Sequence, residues 1–175
     1  TVVELASFEG VIRKQASYAN GPATLVGNVS VPVGTLLTHK DGRQYAVTAS
    51  NVPSGGNVVV AVQAQEPGID GNLSSGETLS LVTPVPGIQS TGISGDITGG
   101  ADIEPISQLL ERLLFRKRNP PMGGAVADYV AWMREVPGVT RAWAYDAWQG
   151  GGTVGISWVY DDRGYILPTP TDKLA

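Results

Sequence analysis

The chain has 175 residues, 42% of them hydrophobic and only 16% charged, against about 25% charged in an average domain. A formal net charge of −4 provides no overall basic field to draw nucleic acid or anionic lipid, so nucleic acid is not an expected partner. The absence of cysteine excludes disulfides and thiolate metal sites, and 23 glycines with 12 prolines point to a turn-rich, β-leaning fold.

No apolar run approaches the ~18 residues of a membrane span, and Thr1 to Gly10 lacks the basic start and apolar stretch of a signal peptide. Neither end reads as natural. There is no initiator methionine, and Thr169-Pro170-Thr171-Asp172 has the cap, proline and acidic residue of a helix start just before the chain stops.

Gly10 to Ala19 carries small and β-branched residues into Asn20-Gly21, a dipeptide favoured in tight hairpins, which predicts strand, turn, strand with Pro22 weakening the second strand. From Val31 to Gly76 three short strand runs follow, with structural turns expected at Gly34, Gly42, Gly68, Gly71 and Gly76. A two-residue turn at Asp41-Gly42 pairs Thr38 with Tyr45 and Leu36 with Val47, placing Leu36, Tyr45 and Val47 on one face. His39 falls opposite Gln44 on the other face, as an exposed strand residue without a partner. Val58, Val60 and Val62 alternate with Val59, Ala61 and Gln63, which predicts a strand covered on both sides near its start.

The glycine-rich stretch 87–100 is apolar-poor and reads as a linker or long surface loop. It divides the chain into a β-rich domain, 1–90, and a smaller α+β domain, 91–175. In the second, Ile106, Leu109, Leu110, Leu113 and Leu114 recur at helical spacing, with Arg116, Lys117 and Arg118 complementing the helix C-terminus before Asn119-Pro120-Pro121 stops it. Val126, Tyr129, Val130 and Met133 mark a second helix, closed by Pro137 and a turn at Gly138.

A hairpin then runs from Val139 to Trp148 and from Thr153 to Tyr160. Closure over 149–152 pairs Trp143 with Trp158, Tyr145 with Ile156 and Ala147 with Val154, so this aromatic face is expected to be buried. Three of the four tryptophans are then core residues. Trp148, beside the loop and off that face, is the candidate interface anchor.

Motifs for chemistry are weak. Gly150, Gly152 and Gly155 have dinucleotide-fingerprint spacing, but a strand follows where a phosphate-binding loop must open a helix. Asp70 with Asn72, and Asp161-Asp162 with Gly164, lack the oxygen ladder of a calcium loop and read as Asx turns. Asp102 and Glu104 read as helix-initiating carboxylates rather than a catalytic pair. Arg112, Arg116, Lys117, Arg118, Arg134, Arg141 and Arg163 read as a solvated basic face, and one histidine falls short of a catalytic zinc site. Asn28-Val29-Ser30 and Asn72-Leu73-Ser74 are glycosylation sequons only in a secretory context. No catalytic, cofactor or metal residue is assigned.

With these residues in place, the chain resembles the baseplate J family of contractile-tailed phages, the assembly or wedge proteins of Mu-like and P2-like phages. The resemblance rests on Gly10-Val11-Ile12-Arg13 with Ala16 and Ala19, on Val33-Gly34-Thr35 and Asp41-Gly42 to Tyr45, and on Ala64, Gly68, Gly71-Asn72 and Gly76. It continues in Gly99 to Glu104, Asp128-Tyr129, Trp132, Val136 to Val139 and Gly152-Thr153-Val154. Pro105 departs from it, standing where the family commonly has a serine suited to capping.

The resemblance implies a longer parent protein and a non-catalytic role in the virion tail baseplate, after assembly in the host cytoplasm. The implied partners are other baseplate and tail proteins, with self-association in the particle and no cofactor. The expected fold is α+β: a small sandwich or barrel-like antiparallel sheet, then two helices and a hairpin. Alternatives are a carbohydrate- or receptor-binding tail module and a small cell-wall hydrolase.

Overall fold

The computed structural model describes residues 1–164, 166–169 and 172. The expected helix start at Thr169 to Asp172 therefore lies partly outside the described residues. The chain forms two compact units, one of residues 17–101 and one of 1–16 with 102–175.

The first unit is a closed antiparallel barrel of β1 (Asn20–Gly27), β2 (Leu36–His39), β3 (Gln44–Ser50), β4 (Asn57–Ala64), β5 (Thr78–Leu81) and β6 (Ile88–Ser94). Strands neighbour in the order β1-β4-β3-β2-β5-β6, and β6 pairs back onto β1. Closure leaves no free sheet edge. Leu25, Leu37, Tyr45, Val58, Val60, Val62 and Leu79 fill the interior, and the Tyr45 hydroxyl donates to the Gly71 carbonyl at 3.0 Å.

Several expectations about this unit are corrected. The stretch 87–100 is not a linker: it supplies β6, and the expected division at 90/91 falls inside that strand. Asn20-Gly21 is not a turn but the start of β1, where Gly21 faces Val62 and any Cβ would collide with the Asp96 carbonyl. Before it, Ser17 makes only a single bridge to Ala101. In β4, Val58, Val60 and Val62 are buried while Val59 is 40% exposed, because the outer face of an antiparallel barrel meets water.

The β2–β3 register is one residue from that expected, with Leu36 opposite Ala46, Leu37 opposite Tyr45 and Thr38 opposite Gln44. The loop has three residues, Lys40-Asp41-Gly42. The Asp41 carboxylate accepts the Arg43 N–H at 3.1 Å, and Gly42 takes the left-handed conformation, φ 91°, that ends a three-residue hairpin loop. The slip turns Leu37 and His39 inward with Tyr45 and leaves Leu36 half-buried.

The second unit contains α1 (Val2–Phe8), α2 (Ile106–Arg118), α3 (Val126–Met133), β7 (Arg141–Asp146) and β8 (Val154–Val159). Helix α1 was not anticipated. Its signature is a capping box, in which Thr1 Oγ1 accepts the Glu4 N–H while the Glu4 carboxylate reaches back to the terminal amine. Ala6 of α1, Val11, and Leu109 and Leu113 of α2 form this unit's core. The Asp128 carboxylate secures the start of α3 by accepting the N–H groups of Met122, Gly124 and Ala125.

Helix α2 begins after Pro105 with no side-chain cap and no carboxylate in its first turn. Glu104 is instead buried beside Arg112, whose Nη1 lies 2.9 Å from its Oε2, and it also accepts the Lys14 N–H at 3.0 Å. Arg112 donates to the Ile12 carbonyl as well, and Lys14 Nζ donates to the Val139 carbonyl at 2.8 Å. One buried ion pair thus gathers the segment 12–14, α2 and the approach to β7. The basic residues are not a uniformly solvated face. Arg112 and Arg163 are buried, the latter paired with Asp172 and stacked 3.8 Å over the Tyr160 ring.

Candidate interaction surface

The β7–β8 hairpin follows from alternation in both strands, but its register also differs by one residue from expectation. Trp143 faces Ser157, Ala144 faces Ile156, Tyr145 faces Gly155 and Ala142 faces Trp158. The loop spans 147–153, with Ala147 in the left-handed region at φ 52°, so the strands stop short of Trp148 and Thr153. The Thr153 hydroxyl pins this loop, accepting the Gln149 N–H and donating to the Gly150 carbonyl.

The slip inverts the outcome for the aromatic residues. The face carrying Ala142, Ala144 and Trp158 is half-buried, whereas Trp143, Tyr145 and Trp148 are 41%, 45% and 65% exposed. Trp132, in α3, is exposed as well. Core packing therefore does not account for three of the four tryptophans.

On the exposed side the Tyr145 and Trp148 rings lie 5.5 Å apart, tilted by 43°. Tyr145, Trp148, Gly155, Ile156 and Ser157 line an open groove of about 510 Å³. Arg141 stands 5.5 Å over the Trp143 ring while its Nε bonds Asp161 at 2.8 Å, an ion pair that holds the Asp161 carboxyl below its ordinary pKa. Asp161 is thus committed to Arg141 and Thr140. The surface offers large apolar rings with a few fixed polar groups, which is the chemistry of contact.

His39 is neither exposed nor unpartnered. It is 4% exposed, with Nδ1 2.9 Å from Asp41 Oδ1 and Nε2 3.2 Å from Glu77 Oε2. A hydrogen bond from Arg43 holds the Asp41 carboxyl well below its usual range, and hydrogen bonds from His39 and Lys40 lower that of Glu77. Both ring nitrogens thus lie against carboxylates. His39 ties the β2–β3 loop to Glu77 at the start of β5.

Among the expected turn glycines, Gly34, Gly42, Gly68, Gly76 and Gly138 all have positive φ. Gly71 does not. It sits in a short 3₁₀ turn where a Cβ would press on the Cβ atoms of Ala64 at 3.0 Å and Ala19 at 3.2 Å. Asn72 spends its side chain on both backbone groups of Gly100, at 2.9 Å each. Among the described residues no helix is long and apolar enough to cross a membrane.

Residues 19–100 match the Baseplate J-like protein barrel domain, and residues 121–174 match the Baseplate J-like central domain. The chain belongs to the Baseplate J-like family.

It is 41% identical over 174 residues to the Mu-like prophage FluMu protein gp47 of Haemophilus influenzae, covering 98% of this chain and 49% of that protein. It is 42% identical over 175 residues to Baseplate protein gp47 of Escherichia phage Mu, with the same coverage. A more distant relative is the phage-like element PBSX protein XkdT of Bacillus subtilis, 27% identical over 86% of this chain and 41% of its own length. The chain spans about half the length of the first two relatives.

Proposed function

We propose that the chain is a structural part of a phage or prophage tail baseplate, a wedge or assembly protein of a contractile tail that acts through protein–protein interfaces and performs no catalysis. Its partners are other baseplate and tail proteins and copies of itself, and its place is the virion baseplate after assembly in the host cytoplasm. The relative from phage Mu bears the name of a baseplate protein and aligns along nearly the whole chain, which supports the reading. The observation that carries it is the exposed Trp143, Tyr145 and Trp148 surface. Exposed aromatic clusters of this kind mark interfaces, and Trp148 is the anchor we assign to this one.

Deleting the parent gene and imaging lysates tests the role: particles without complete tails are expected, and normal infectious particles would overturn it. A second reading, a carbohydrate- or receptor-binding tail module, is favoured by one feature, the tilted Tyr145–Trp148 pair over a groove beside Ser157. A glycan array probed with the whole chain decides it, since a platform for sugar rings gives hits that Trp148→Ala abolishes and an array without hits removes the reading.

A further inference from the structure

We propose that the helical unit carries a carboxylate-binding pocket walled by Arg112, Arg116 and Arg134, which takes an acidic side chain from a neighbouring protein or a free small carboxylate. The pocket measures about 30 Å³ and is lined also by Gly10, Val11 and Glu135. Arg112 and Arg116 stand one turn apart on α2, so both present to the same side of the helix, and Arg134 is the C-terminal cap of α3. Three arginines and one glutamate thus line the same small space.

The three cations are unequally compensated. Arg112 is neutralised by buried Glu104 at 2.9 Å. The nearest carboxylate to Arg134 is Glu111 at 3.6 Å, and it is 71% exposed, whereas the Arg134 side chain is only 16% exposed. Arg116 is half-buried and has no ion pair among the described residues. Burial lowers the pKa of Arg134, and repulsion from Arg112 adds to the effect. A planar anion placed between Arg116 and Arg134 relieves that repulsion and accepts from both forks. The small space favours a compact planar anion such as a carboxylate over a sugar.

The test is an NMR titration of the whole chain with sodium acetate at constant ionic strength, following the arginine Nε–Hε signals. Saturable shifts are expected at Arg116 and Arg134 and none at Arg141, which is held by Asp161. Arg116→Gln, which breaks no ion pair, weakens acetate binding by about tenfold, the loss of one charge-assisted contact, and Glu135→Gln tightens it. A blocked alanine peptide with one central glutamate, compared with its glutamine counterpart, separates the two sources. Tighter binding of the glutamate peptide than of acetate assigns the pocket to a protein side chain, and equal binding assigns it to free carboxylates. Shifts that rise without saturation, or equally at Arg141, or that are unchanged by Arg116→Gln, overturn the proposal.

Discussion

Gly155 lies directly against the indole of Trp148: a Cβ at position 155 would fall 2.6 Å from Trp148 Cγ and 2.9 Å from its Cβ. The absence of a side chain on β8 is what seats the exposed tryptophan beside Tyr145. Gly155→Ala must therefore move the indole. We expect a changed near-UV circular dichroism signal and a loss of about 1–3 kcal/mol from overpacking. In a Trp148→Ala background the same substitution should cost little, so urea denaturation of the four proteins should return a coupling of about 0.5–3 kcal/mol.

The buried Glu104–Arg112 pair predicts a different asymmetry. Glu104→Ala leaves the Arg112 guanidinium buried without its counter-charge and should cost about 3–5 kcal/mol in chemical denaturation. The double variant Glu104→Met with Arg112→Met removes both charges and should recover much of that loss. A double variant as unstable as the single one would mean that the bonds to Lys14 and Ile12, rather than charge balance, dominate the clasp.

Lys14 makes stability depend on pH in a defined direction. Burial lowers its ammonium from 10.5 to about 8, against the opposing attraction of Glu104. Between about pH 8 and 10.5 the unfolded chain holds more protons than the folded one, so stability rises with pH across that window. Tyr45 and Tyr160, pushed up by burial, act with the opposite sign only above pH 10. Denaturation midpoints measured from pH 7.5 to 9.5 should therefore climb in the native chain and flatten in Lys14→Met.

The observed β2–β3 register ranks two adjacent leucines. Leu37 is fully buried and Leu36 half-buried, so Leu37→Ala should cost about 2–5 kcal/mol and Leu36→Ala clearly less. The reverse order in thermal or urea unfolding would restore the register with a two-residue turn.

Much of the architecture was legible because it is local. The spacing of Leu109 and Leu113, the prolines after Asn119 and the periodicity from Val126 to Met133 define α2 and α3, and glycine punctuation marks a β-rich first half. Both hairpin registers were misread by one residue because each loop takes in residues that alternation counts as strand, Lys40 in one and Ala147, Trp148 and Thr153 in the other. For Trp143 and Tyr145 that slip decides which face meets water. His39 was misread for another reason: its partner Glu77 lies 38 residues away and meets it only when β2 pairs with β5. The short helix α1 was legible in principle from Thr1 and Glu4 as a capping box, without the apolar run that usually draws attention.

The central claim is that the exposed hairpin face joins the chain to other baseplate proteins, and it is tested most directly by electron microscopy of lysates from the parent phage carrying Trp143→Ser, Tyr145→Ser and Trp148→Ser together. These side chains are 41–65% exposed, so the isolated protein should fold with an unfolding midpoint close to that of the native chain. The prediction is heads and incomplete tails despite normal amounts of folded protein. Complete, contractile and infectious particles from the triple variant would contradict it.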